Sequence, residues 1–66
     1  MKVHFDEQAD AVYLRLDDSK IIESQEVQPG VILDFNEQGQ VVGVEILGVM
    51  KRVPLAQLKQ MRFEVA

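Results

Sequence analysis

The fold is decided by residues 31–47, VILDFNEQGQVVGVEIL, where two apolar runs are separated by a polar stretch. In the first run the odd-numbered residues from 31 to 35 are all apolar, which is the period of a strand with one buried face. The second run, residues 41–47, follows Gly39, which can adopt the left-handed conformation that closes a tight loop. The stretch therefore predicts a β-hairpin.

The pairing register of this hairpin depends on the length of its loop. A four-residue loop sets Leu33 opposite Val42 and Val31 opposite Val44, which keeps the apolar side chains on one face. A three-residue loop would place an apolar side chain beside a carboxylate. We therefore expect the four-residue loop.

Three further strands are expected upstream of the hairpin. Apolar and polar residues alternate over residues 2–5 and again over residues 11–16, with a polar turn between them. Residues 21–27 are typical of an extended segment but are mostly polar, which suits the edge of a sheet. Pro29-Gly30 marks the reversal into the hairpin.

A short helix is expected over residues 53–63. Pro54 suits its first position, because the missing N–H would be unpaired there anyway. The apolar residues at helical spacing are Leu55, Leu58 and Met61. The sequence thus predicts one α+β domain over residues 1–66, with an antiparallel β-meander of about five strands within residues 1–48 and one short C-terminal α-helix.

Length and composition exclude several classes of protein. The chain has 66 residues, seven Lys or Arg, eleven Asp or Glu, a net charge of −4 and no Cys. A domain this small buries only about 60% of the surface that its unfolded chain exposes, which leaves little material for a deep catalytic cleft. No apolar run approaches the roughly 18 residues that cross a bilayer, and the first residues lack the apolar core of a signal peptide. We expect a cytoplasmic protein without disulfides, membrane contact or cofactors.

The strands have two faces with apolar residues, and one short helix can cover only one of them. The first face has the composition of a normal core and consists of Val3, Phe5, Val12, Leu14, Leu16, Val31, Leu33, Phe35, Val42, Val44 and Ile46. The second face mixes apolar residues with Arg15, Asp34 and Glu45. Because burial and ordering entropy nearly cancel in a chain of this size, self-association is expected, as a two-fold homodimer. The candidate interface consists of Tyr13, Ile32, Val41, Leu47, Leu55 and Leu58.

The chemistry-bearing residues favour a structural role over catalysis. His4 is the only His, and it lacks a second His or a Cys with which to hold a transition metal. Neither Ser has the glycine setting of a nucleophile elbow. Asp34 and Glu45 are expected as diagonal neighbours, each paired to Arg15 or to a basic residue near the C-terminus. The leading hypothesis is therefore a non-enzymatic interaction module.

Two alternatives come from other classes of function. A metal-dependent hydrolase would use four carboxylates at a dimer interface, namely Asp6, Asp10, Asp34 and Glu45. Nucleic-acid binding would use the cations Lys51, Arg52, Lys59 and Arg62. Residues 1–50 carry three basic and ten acidic side chains, a net charge of −7, and this body would repel phosphates. We expect proteins rather than nucleic acids as partners.

Three stretches of the chain resemble one family. They are FDEQADAVYLRL over residues 5–16, ESQEVQPGVILDF over residues 23–35 and GQVVGVEIL over residues 39–47. Together they are similar to the small prokaryotic proteins of domain of unknown function 2283. This resemblance implies no activity, catalytic residue or cofactor. Members of that family resemble partners of small toxin-like proteins encoded beside them, which implies an antitoxin-like, partner-binding role.

Overall fold

The computed structural model describes every residue from 1 to 66. The five strands are β1 (Lys2–Asp6), β2 (Ala11–Arg15), β3 (Glu23–Gln28), β4 (Val31–Phe35) and β5 (Val41–Leu47). A 3₁₀ helix (Val49–Lys51) and the helix α1 (Leu55–Leu58) follow them. The predicted α+β class is confirmed. Neither helical element has the length and hydrophobicity required to span a lipid bilayer.

The strands form one antiparallel sheet in the order β1-β2-β5-β4-β3. The predicted meander is therefore wrong at one connection, because β2 pairs with β5 and not with β3. The physical reason is polarity. Every residue of β3, ESQEVQ, is exposed, and an edge position spares such a strand from burial. The more apolar β5 takes the centre, so a β1–β2 hairpin lies beside a three-stranded meander.

The β4–β5 hairpin forms as predicted, but its register differs. Leu33 lies opposite Val44 instead of Val42, a shift of two residues. One residue of this shift arises at the loop, where Phe35 lies opposite Val41 instead of Gln40, and the other arises between Asp34 and Phe35, where β5 contributes one extra residue. A shift by two preserves the faces of both strands, so the apolar side chains still meet.

Asn36 closes the loop of this hairpin. Its side-chain oxygen accepts hydrogen bonds from the backbone N–H groups of Gln38 and Gln40, both at 3.0 Å. Gly39 has a φ of 75°, in the left-handed region that was predicted for it. The loop is thus fixed by an Asn and a Gly acting locally.

The C-terminal helix is shorter than predicted. The helix expected over residues 53–63 is confined to Leu55–Leu58. Pro54 precedes it and no side chain caps its first turn, and so short a helix forms only where tertiary contacts support it. Residues 61–66 have no regular secondary structure and are exposed.

Few apolar side chains are buried in the isolated chain. Val42, Val49 and Leu58 have 1%, 6% and 8% of their surface exposed, respectively. Of the eleven residues of the first face, only Val42 is buried, and the others are half-buried or exposed. The normal core expected on this face is therefore incomplete in one chain, because α1 is too short to cover it and extensive contacts join only neighbouring strands.

Asp10 attaches the 3₁₀ helix to the β1–β2 turn. Its carboxylate accepts a hydrogen bond from the backbone N–H of Met50 at 2.8 Å, and its carbonyl accepts one from Gly48 at 2.8 Å. Asp10 is also the only non-glycine residue with a positive φ, 51°. Asp tolerates this left-handed conformation better than most residues do, so one residue supplies both the turn and the anchor.

Replacing Asp10 with Ala is expected to lower the free energy of unfolding by about 1–2 kcal/mol, because the N–H of Met50 loses its acceptor and Ala strains the left-handed backbone. Asp10→Asn keeps both features and serves as the matched control. Urea unfolding at one fixed protein concentration measures both variants. Equal losses for Ala and Asn would contradict the anchoring role.

Candidate functional site

A cluster of polar side chains lies on the second face of the sheet. Cross-strand pairing sets Arg15 opposite Gly43, Gly43 opposite Asp34, and Asp34 opposite Ser24. One step along the same face, Tyr13 lies opposite Glu45. Four strands thus contribute side chains to one patch, which we call the polar cluster: Tyr13, Arg15, Ser24, Asp34 and Glu45 around Gly43.

Gly43 makes room for this cluster. A Cβ atom at this position would lie 2.9 Å from the Asp34 carboxylate, 2.9 Å from the Tyr13 hydroxyl and 3.2 Å from the Tyr13 ring. Glycine within a strand often marks such a close approach. The missing side chain lets the Tyr13 ring and the Asp34 carboxylate occupy the space above the centre of β5.

Asp34 is the most deeply buried ionisable residue of the cluster, with 3% of its surface exposed. The Ser24 hydroxyl donates a hydrogen bond to its carboxylate at 2.6 Å. No buried side-chain nitrogen or oxygen in the protein lacks a hydrogen-bond partner. The bond from Ser24 therefore helps to offset the cost of burying this carboxylate and joins the polar edge strand β3 to β4.

Glu45 lies diagonally from Asp34, as the sequence predicted. Burial raises the pKa of the Glu45 carboxyl above its usual value of 4.5, and the negative charge and hydrogen bonding of Asp34 raise it further. Two adjacent carboxyls disfavour double ionisation, so one proton is held more firmly between them. The Glu45 carboxyl therefore keeps its proton to a higher pH than a fully solvated Glu does.

Arg15 is engaged by backbone oxygens and not by these carboxylates. Its guanidinium donates to the carbonyls of Asp17, at 2.7 Å, and of Ser19, and makes a longer contact of 3.5 Å with the Tyr13 hydroxyl. The predicted pairing of Arg15 with Asp34 or Glu45 is therefore wrong. The reason is local: Arg15 ends β2, and the turn that follows curls back around its side chain.

The Asp17 side chain completes this turn. It accepts hydrogen bonds from Ser19, which hold the pKa of the Asp17 carboxyl below its usual value of 3.8. A shallow cavity of about 340 Å³ lies beside the turn and is lined by Met1, Lys2, Tyr13, Arg15, Asp17 and Asp18. The cavity and the polar cluster share Tyr13 and Arg15.

Comparison with known families assigns the chain. A family model described as protein of unknown function (DUF2283) matches residues 2–49, more than two thirds of the sequence. This chain belongs to the DUF2283 family. The match confirms the resemblance found in the sequence, and it covers all five strands and the whole polar cluster. No curated protein and no solved structure matches this DUF2283 chain.

The four carboxylates of the hydrolase alternative are not brought together within one DUF2283 chain. The Asp6 carboxylate accepts the N–H of Ala9 at 3.1 Å, and the Asp10 carboxylate holds the 3₁₀ helix. Asp6 pairs with Ala11 and Asp10 immediately precedes it, and the Ala11–Leu47 pair lies four residues, or roughly 13 Å, along β5 from Gly43 and Asp34. No group of three or more His, Cys, Asp or Glu residues is arranged to hold a metal ion.

The candidate interface residues differ in exposure. Leu58 is buried inside the chain and Leu47 is 41% exposed, whereas the remaining four are half-buried: Tyr13, Ile32, Val41 and Leu55. The cations of the nucleic-acid alternative do not share one helix, because Lys59 and Arg62 follow the end of α1 and the other two flank the end of the 3₁₀ helix. A basic helix is therefore not formed.

Sequence reasoning missed two members of the polar cluster. Ser24 was assigned only to a polar edge strand, and Gly43 was assigned no role. An isolated Gly in an apolar strand is a signal for close approach and could have identified Gly43. Nothing in the sequence pairs Ser24 with Asp34, since that contact depends on the β3–β4 register.

The Glu45 carboxyl is expected to make stability depend on pH. Its raised pKa means that the folded chain binds this proton more tightly than the unfolded chain does. The protonated Glu45 therefore adds to the free energy of unfolding fully below about pH 4.5, and this stabilisation is lost as pH rises through the raised pKa. Replacing Glu45 with Gln should remove this pH-dependent loss of stability. The loss amounts to less than about 1 kcal/mol, because the site is partly solvated.

The measurement is urea unfolding of wild type and Glu45→Gln at a series of pH values from 4 to 8, with Glu37→Gln in the exposed β4–β5 loop as the control. The difference between wild type and Glu45→Gln should grow with pH and then level off. A difference that stays constant over this range would contradict the shared proton.

Proposed function

We propose that this DUF2283 protein is a non-enzymatic interaction module. It associates with a second copy of itself and, in an antitoxin-like role, with a partner protein. The observation that supports this proposal is the incomplete core: ten of the eleven apolar side chains of the first face are half-buried or exposed in the single chain. Apolar surface of this extent is typical of a protein that binds another polypeptide.

The surface area supports the same proposal. The chain exposes 5226 Å², whereas a compact monomer of 7.5 kDa would expose about 4,250 Å². The excess of about 1,000 Å² is close to the roughly 800 Å² that each partner buries in an interface of standard size. Association of two chains would therefore bring the exposed area into the normal range.

The polar cluster fits a structural role in such a module. The Ser24 hydroxyl donates a hydrogen bond to Asp34, and Arg15 donates hydrogen bonds to the carbonyls of the turn that follows β2. These bonds connect β3 to β4 and fix the end of β2. They stiffen the sheet, and a stiff sheet lowers the ordering cost of binding through its apolar face.

Sedimentation velocity between about 1 and about 200 µM protein tests the self-association. We expect a dimer across the upper part of this range, and we expect it to persist in about 1 M salt, because apolar contacts are not screened as charge pairs are. A monomer at every concentration would overturn the proposed self-association.

Binding to a partner protein is tested separately. The protein encoded beside this one is co-expressed with it, and a tag on one of the two is used for purification. We expect a stoichiometric complex that survives gel filtration. Repeated recovery of the two proteins apart would contradict the antitoxin-like role. It would not bear on self-association, which sedimentation velocity tests separately.

A further inference from the structure

Residues 61–66 have the pattern of a strand without a partner. The apolar Met61, Phe63 and Val65 alternate with Arg62 and Glu64, which is the period of a strand with one apolar face. In the isolated chain these three apolar side chains are 47%, 79% and 82% exposed. A Phe and a Val so fully exposed in one short segment indicate that the segment has a binding site elsewhere.

The sheet has two edges that could receive such a strand, and they differ. The edge strand β3 is polar on both faces, contains two Glu residues and has a register shift between Glu26 and Gln28, all of which discourage pairing. The other edge strand, β1, has the sequence KVHFD, pairs regularly with β2 and has Val3 52% exposed. The open edge of β1 therefore lacks the polar composition and the register shift that discourage strand pairing at β3.

We propose that residues 62–66 of one chain add as an antiparallel strand to β1 of a second copy, and that the two copies exchange these segments reciprocally. This inference rests on the proposed self-association and specifies the contact that produces it. The added strand extends the first face of the sheet, whose rows run from β1 to β4 through Val3, Leu14, Val44 and Leu33 and through Phe5, Val12, Ile46 and Val31.

One antiparallel register gives favourable pairs at four of the five residues of the segment, Arg62 to Val65. It sets Val65 opposite Val3 and Phe63 opposite Phe5, so that each apolar row gains one more side chain. On the other face it sets Glu64 opposite His4, and it places Arg62 opposite Asp6. Apolar pairs and opposite charges across strands each stabilise pairing, whereas like charges oppose it.

The alternatives meet unfavourable neighbours. A parallel arrangement with Phe63 opposite Val3 would set Arg62 opposite Lys2, two positive charges. An antiparallel arrangement on β3 with Phe63 opposite Gln25 would set Val65 opposite Glu23. Charge and polarity therefore favour β1 over β3 and the antiparallel over the parallel direction.

Reciprocal exchange also gives a closed assembly. Each copy has one donor segment and one receiving edge at β1. In a two-fold dimer both donor segments and both β1 edges are paired, so this contact cannot add further copies. Strand addition of this kind gains backbone hydrogen bonds as well as side-chain contacts.

Disulfide trapping tests the contact directly, because the chain has no Cys of its own. Val3→Cys and Val65→Cys are made as separate single variants of the full chain and mixed under mild oxidation. Opposed residues of antiparallel strands lie within disulfide range, so we expect a disulfide between the two different chains to dominate over disulfides between identical chains. Random pairing of equal amounts of the two chains would give the mixed disulfide and the two identical-chain disulfides in a ratio of about 2:1:1. A mixed product that does not exceed this share would overturn the proposal, as would faster trapping of Val3→Cys with Phe63→Cys than with Val65→Cys.

Sedimentation of two further sets of variants provides an independent readout. Phe63→Asp should weaken dimerisation about 100-fold or more, since each dimer contains two such rings, whereas Ile22→Asp, also at an exposed apolar residue (54%), should not. His4→Glu should weaken it about 3- to 10-fold and Glu64→Lys should restore it in the same chain. A wild-type dimer unaffected by these variants would overturn the strand exchange and leave the self-association standing, whereas a monomeric wild type would overturn both.

Discussion

Replacing Leu58 with Ala is expected to lower the free energy of unfolding by about 2–4 kcal/mol, the range for removing a buried Leu side chain from a core. Leu58 is the one buried residue of α1 and is 8% exposed. A helix of four residues has no stability of its own. Tertiary contacts must therefore hold α1 against the rest of the chain, and its buried side chain Leu58 contributes the most apolar burial, together with Val49 in the preceding 3₁₀ helix.

The matched control is Gln57→Ala, which changes the exposed neighbour in the same helix to a residue with a higher helix propensity. We expect it to alter the free energy of unfolding by less than about 0.5 kcal/mol. Both variants are measured by urea unfolding at the same protein concentration, because association would otherwise change the apparent stability. A loss from Leu58→Ala as small as that from the control would mean that α1 does not dock.

The positions of the strands could be predicted from sequence, because apolar residues alternate along four of them and turn residues bound the polar fifth, β3. Their order could not. Whether β2 pairs with β3 or with β5 depends on which of these two candidate partners buries more apolar surface in a central position. The polar composition of ESQEVQ, noted in the sequence as typical of an edge, already contained the answer, since an edge strand cannot also lie in the middle of a meander.

The predictions of the β4–β5 register and of the helix length were wrong for a different reason. The observed register combines a loop closed by Asn36 with one extra residue in β5 opposite the Asp34–Phe35 step, and the hydrophobic pattern indicates neither feature. The spacing of Leu55, Leu58 and Met61 predicts a helix that reaches residue 63. That spacing is compatible with a helix, but the alternation of Met61 with Phe63 and Val65 is compatible with a strand.

The candidate site was predictable only in part. That Asp34 and Glu45 share one face follows from the alternation within two strands that form one hairpin, but their diagonal contact depends on the observed register, in which Asp34 lies opposite Gly43. The choice of Ser24 as hydrogen-bond donor, and of backbone carbonyls as the partners of Arg15, follows from the edge register and from the shape of a turn. Charge complementarity alone suggested an ion pair, whereas the nearby carbonyls provide acceptors that Arg15 reaches without crossing the sheet.

Gly43 is the residue on which the polar cluster depends most directly, and Gly43→Ala is expected to lower the free energy of unfolding by about 1–3 kcal/mol through overpacking. The added methyl group would lie 2.9 Å from both the Asp34 carboxylate and the Tyr13 hydroxyl. The Tyr13 ring can swing outward, but Asp34 is 3% exposed and is held by Ser24. The strain must therefore fall partly on the β4–β5 pairing.

Gly39→Ala is the matched control. It is also destabilising, but for another reason, because Gly39 has a φ of 75° and no atom lies within 4 Å of the position of its Cβ. Adding Tyr13→Phe distinguishes the two cases. Removal of the hydroxyl should recover part of the loss in Gly43→Ala and none of the loss in Gly39→Ala, since distant, unconnected sites are additive.

Tyrosine fluorescence gives a second measurement, because the chain has one Tyr and no Trp and the signal reports Tyr13 alone. Gly43→Ala should change the emission of the folded protein by moving the ring away from the Asp34 carboxylate, and Gly39→Ala should leave it unchanged. Emission that is identical in wild type and Gly43→Ala, together with losses that are additive with Tyr13→Phe, would contradict the close packing of Tyr13 over Gly43. Gly43 would then not be the residue that makes room for Tyr13 and Asp34 in the polar cluster.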